Sequence, residues 1–94
     1  MANIKKEEKV KEFEQTKDFT SSTGRKYLFQ KVAPVEWLDI LDEVEAEKKG
    51  QRKRLYKNVF EHIVVQPSLK LEDFTDFGEM DEVATAAIRF QQNK

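Results

Sequence analysis

KDFTSSTGRKYLFQKV, residues 17–32, is the stretch that decides the fold. Aromatic and β-branched residues flank a polar turn cluster, Ser21-Ser22-Thr23-Gly24, whose glycine tolerates positive φ. The spacing predicts strands at about Lys17–Thr20 and Arg25–Val32. A two-stranded hairpin alone is marginal in water, so Phe19, Leu28, Phe29 and Val32 need a surface to lie on. Only this segment has strand chemistry, and the surface it needs should be helical.

The pattern changes at Ala33-Pro34. Proline presets φ for a helix and lacks only an N–H that the first turn leaves unpaired, so Pro34 fits a helix start. Trp37, Leu38, Leu41 and Val44 follow at helical spacing, Glu36 suits the N-terminal dipole, and Lys48-Lys49 suit the C-terminal one. Gly50 is the expected stop. A second helix from about Gln51 carries Leu55, Tyr56, Val59, Phe60 and Ile63 on one side and ends before Pro67. The short link makes the two an antiparallel pair. A last helix begins near Phe77, where Asp76 and Glu79 have the spacing of a capping box. Between them, Leu69, Leu71 and Phe74 are too apolar for a free loop and should fold back on the helix pair. The expected fold is mainly α with a small N-terminal β-hairpin (α+β): a three-helix domain over residues 17–94 with the hairpin packed on it. Trp37, Leu41, Val59, Ile63, Leu71 and Phe74 should be core.

Composition bounds the rest. A 94-residue chain with 38% hydrophobic and 37% charged residues is one small domain with a densely ionic surface. Such a chain buries only about 60–65% of its unfolded surface, so its margin of stability is thin. The absence of Cys removes disulfides, thiolate metal sites and thiol catalysis. No apolar run reaches the roughly 18–20 residues of a membrane span, and the N-terminus lacks the apolar core of a secretion signal. A cytoplasmic protein is the expectation. Residues 1–16 read as a charged flexible arm, because Lys5–Asp18 balances five basic against five acidic residues around only Val10 and Phe13.

No catalytic constellation is visible. His62 is the only histidine and stands without a spaced partner for metal binding or proton transfer. Carboxylate pairs such as Asp39 with Glu43 sit at solvated helical spacing, whereas a catalytic acid–base pair needs burial. Three scattered glycines do not make a phosphate-binding loop. No enzyme, cofactor or metal is expected. The net charge of −1 hides segregation: six acids and no base from Glu36 to Glu47, five bases among the seven residues 48–54, and six acids again from Glu72 to Glu82. The basic turn 48–54 is the alternative signal, that of a small nucleic-acid-binding regulator. The adjoining acidic helix and a pI near 5.9 weigh against that reading.

The order of these features resembles a known family. A short hairpin carrying GRKYLFQKV is followed by an acidic amphipathic helix and a basic turn. YKNVFEHIVVQPSLKLEDF and a last helix ending AAIRFQQ complete the order. This is similar to the small tail assembly chaperones of long-tailed bacteriophages and prophages of Gram-positive bacteria, over roughly residues 17–94. Val64, Pro67, Leu69, Asp73 and Phe74, with Phe90-Gln91, carry the likeness. The resemblance implies a non-enzymatic chaperone that keeps the long, helical tape measure protein soluble while the tail tube assembles. It would act in the host bacterial cytoplasm and be absent from the mature virion.

A binding stripe is expected at Phe77, Met80, Val83, Ala87 and Phe90 on the last helix. Asp73, Asp76, Glu79, Asp81 and Glu82 should ring it and select basic-flanked helices. Helical periodicity alone fits a core stripe equally well. The resemblance turns the reading toward a partner, or toward self-association through the same face.

Overall fold

The computed structural model describes residues 15–93. The charged arm expected at 1–16 lies outside them except for its end, and Thr16 already belongs to the first strand. Strands β1 (Thr16–Thr20) and β2 (Lys26–Gln30) form the expected antiparallel hairpin, with Lys17 opposite Phe29 and Phe19 opposite Tyr27. Gly24 takes φ 91° in the turn, where a side chain would be strained. Helices α1 (Pro34–Ala46) and α2 (Gln51–His62) follow, then β3 (Val64–Gln66), a 3-10 turn (Leu71–Asp73) and α3 (Phe77–Gln92). The sheet order is β1-β2-β3, all antiparallel, so the protein is a small α+β domain of three helices and a three-stranded sheet.

Strand β3 corrects the sequence reading, which carried α2 on toward Pro67. The helix stops at His62, and Val64 and Gln66 pair instead with Phe29 and Leu28 of β2. The free edge of β2 accounts for this, because the pairing satisfies backbone groups that would otherwise face solvent. The β-branched Ile63-Val64-Val65 run suits a strand as well as a helix end.

Tyr27, Phe29, Val59, Phe60, Ile63, Val64, Val83, Ala84 and Ala87 anchor one core, with Trp37 and Ile40 closing it from α1. Leu41, Leu71 and Phe74 are half-buried against it, and the Phe74 ring lies 5.0 Å from that of Phe60, centroid to centroid. The segment after β3 therefore folds back on α2 through Leu71 and Phe74, while Leu69 is not among the residues packed on the core. Leu38, expected within the α1 stripe, is 57% exposed; Ile40 takes the inward position instead. Lys48 and Lys49 lie beyond the end of α1, whose last turn carries no base.

Candidate functional site

Helix α3 was expected to present one apolar stripe, and the structure divides it. Val83 and Ala87 are fully buried and belong to the core. Met80 is half-buried against that core. Phe90 is also half-buried, 6.3 Å from the Phe29 ring, with the Lys31 ammonium 5.4 Å from its own ring centroid. Phe77 is 60% exposed. It stands roughly three and a half turns from Phe90, well round the helix, so the two do not share one groove. The physical reason is the sheet: α3 must cover Tyr27 and Phe29, and its small residues Ala84 and Ala87 permit the close approach.

The acidic ring is likewise drawn into the fold. Asp73 accepts from the Lys70 backbone N–H at 2.9 Å, and Asp76 caps α3 by accepting from the Gly78 N–H at 3.2 Å. Asp81 accepts from the Tyr56 hydroxyl. Glu82 accepts from the Ser22 backbone N–H and hydroxyl, both at 2.9 Å. Glu79 does not complete the expected capping box. It turns inward, 4% exposed, and accepts from the hydroxyls of Tyr27 at 2.5 Å and Thr23 at 2.8 Å. The tip of the hairpin is thus clasped to the N-terminal turns of α3.

Among the described residues this buried cluster is the nearest approach to a set of reactive groups, and its electrostatics suit a clasp. Burial alone would raise the Glu79 pKa; the hydroxyls of Tyr27, Thr23 and Ser21 outweigh it and hold the carboxyl below its ordinary range. Burial and the Glu79 carboxylate push the Tyr27 hydroxyl up to about 12. A phenol so shifted is a poor base near neutrality, and the carboxylate is already committed as an acceptor. Burial and Asp81 also raise the pKa of Tyr56. Among the described residues, no group of three or more His, Cys, Asp or Glu side chains is placed to hold a metal ion. Among the described residues the His62 side chain reaches only its neighbour Glu61, at 3.1 Å.

The charges of the helix pair divide into those paired between the helices and those left at the surface. Arg54 lies 3.6 Å from Glu43 and 3.5 Å from Glu47, and Asn58 donates to Glu43 at 3.2 Å. These contacts join α1 to α2. Lys48, Lys49, Arg52 and Lys53 of the basic turn are exposed, as are Glu36, Asp39, Asp42 and Glu45 on the outer side of α1. That outer side also carries Val35, 65% exposed, and Leu38, which the sequence reading had placed inside or passed over. The signal was available: Val35 and Leu38 share a spacing offset from Trp37, Ile40, Leu41 and Val44. No described helix is long and apolar enough to cross a membrane. No family model, curated protein or solved structure matches the chain.

Proposed function

We propose that this protein is a phage tail assembly chaperone, a non-catalytic holder of the tape measure protein during tail tube assembly in the host cytoplasm. The resemblance over residues 17–94 is the ground for naming that family. The observation that carries the holding role is apolar surface: Val35 and Leu38 are each more than half exposed on a domain small enough to need its hydrophobic residues inside. Exposed apolar side chains beside carboxylates suit an amphipathic helix as partner, because the helix buries its apolar stripe while its polar face stays in water. The inward commitment of Glu79, Tyr27 and Gln91 is consistent with a domain whose polar groups serve its own fold.

The test is co-expression with a long, helix-rich tape measure protein that aggregates when made alone. With this chain present the tape measure protein should remain in the soluble fraction and co-purify with it. Equal aggregation with and without the chain would defeat the proposal.

A further inference from the structure

We infer that the outer face of α1 is the docking surface, and that its occupant is an amphipathic helix of another protein whose apolar residues are flanked by Lys or Arg. This rests on the holding role proposed above and names the face and the chemistry of the partner. Val35 and Leu38, 65% and 57% exposed, stand one helical turn apart and point away from the core. Asp39, Asp42 and Glu45 continue the same stripe at intervals of three and four residues, and Glu36 flanks it. None of these four carboxylates forms an ion pair among the described residues, whereas Glu43, one turn beyond Asp39, and Glu47, just past the end of the helix, are engaged by Arg54. The acids of α3 are tied into hydrogen bonds of the fold; those of outer α1 make none among the described residues.

The charge pattern selects the occupant. A second copy offering the same face would set carboxylates against carboxylates, which is repulsive. A second copy offering its basic turn would bring Lys48, Lys49, Arg52 and Lys53, yet residues 48–54 contain no large apolar side chain to cover Val35 and Leu38. A foreign helix with a leucine-rich stripe and flanking cations satisfies both halves of the surface. Cations on the partner also shorten the search for it, since opposite charges steer encounter.

The probe is a pair of fluorescent helical peptides with identical leucine stripes, one flanked by lysines and the other by glutamates, titrated with the full chain. The lysine-flanked peptide should bind, and binding should weaken with added salt. Val35→Ser with Leu38→Ser should weaken it about tenfold or more while leaving the melting temperature in place. Asp39→Asn with Asp42→Asn and Glu45→Gln should reduce both affinity and salt dependence. Phe77→Ser should change neither. Equal binding of the two peptides, or full affinity in the α1 variants, overturns the assignment. Binding abolished by Phe77→Ser instead moves the grip to α3 and leaves the holding role standing. Self-association abolished by the Val35 and Leu38 substitutions makes the occupant a second copy and overturns the inference. Failure of both peptides removes the holding role itself.

Discussion

Gln91 pairs its side-chain amide with both backbone groups of Val32, accepting from the N–H at 2.8 Å and donating to the carbonyl at 3.0 Å. All these groups are buried, so the amide acts as a short piece of strand that completes the chain just after β2. With Glu79 holding the hairpin tip, α3 is fastened to the sheet region at both of its ends.

Gln91→Ala leaves the Val32 N–H and carbonyl buried without partners. A loss of about 1–3 kcal/mol is expected, read from the midpoint of denaturant unfolding at unchanged slope. Gln91→Glu should cost more, because it removes the donor and places a carboxylate against the Val32 carbonyl. An unchanged midpoint in both variants would show that the pairing contributes nothing.

The Glu79–Tyr27 pair predicts a stability profile with two limbs. The lowered pKa of Glu79 makes its contribution complete above the ordinary glutamate value, and the contribution is lost as pH falls through the folded-state value. The raised pKa of Tyr27 acts oppositely: its contribution is complete below 10.0 and is lost as pH climbs toward about 12. Glu79→Gln should flatten the acid limb and Tyr27→Phe the alkaline one, in unfolding midpoints measured across pH. An acid limb of full size in Glu79→Gln would contradict the clasp.

Trp37 and Phe77 should behave as opposites despite similar size. Trp37 is 7% exposed at the contact of α1 with the core, and truncation to Ala should cost about 3–5 kcal/mol, enough to unfold much of a small domain. Phe77→Ser should stay within about 0.5 kcal/mol of the parent. Thermal melting of the two variants decides the matter; equal losses would place Phe77 in the core.

Arg54→Ala should cost less than about 1 kcal/mol, since the Arg54 side chain and its partners Glu43 and Glu47 are all more than a third exposed. The small loss should shrink further in high salt. A loss of several kcal/mol would mark the ion cluster as a structural anchor between α1 and α2.

The hairpin, the helix pair and the last helix were legible because each rests on a local pattern: a polar turn with glycine, Pro34 before an apolar period, Asp76 before another. Strand β3 was not, because three residues are too few to display alternation and their pairing depends on the distant edge of β2. Glu79 was misread for a related reason. Its spacing from Asp76 is that of a capping box, while the hydroxyls that capture it come from Thr23 and Tyr27 on the hairpin. The expected stripe on α3 was correct as periodicity and wrong as exposure at Val83 and Ala87, which are fully buried. A period reports which residues share a face; what covers that face is settled by tertiary packing.

The clasp also fixes an order of events during synthesis. The contacts that hold the hairpin to α3 join residues 52 to 60 positions apart along the chain. A ribosome adding about 5–20 residues per second needs several seconds to cover that distance, whereas a hairpin can form in about 1–10 μs. The strands made first therefore wait longest, with Tyr27 and Phe29 still lacking the helix that will cover them. On a crowded polysome, neighbouring nascent chains hold the same apolar strands at the same moment. Slowing translation between Val32 and Glu79 should therefore lower the soluble yield, while slowing it after Gln91 should not.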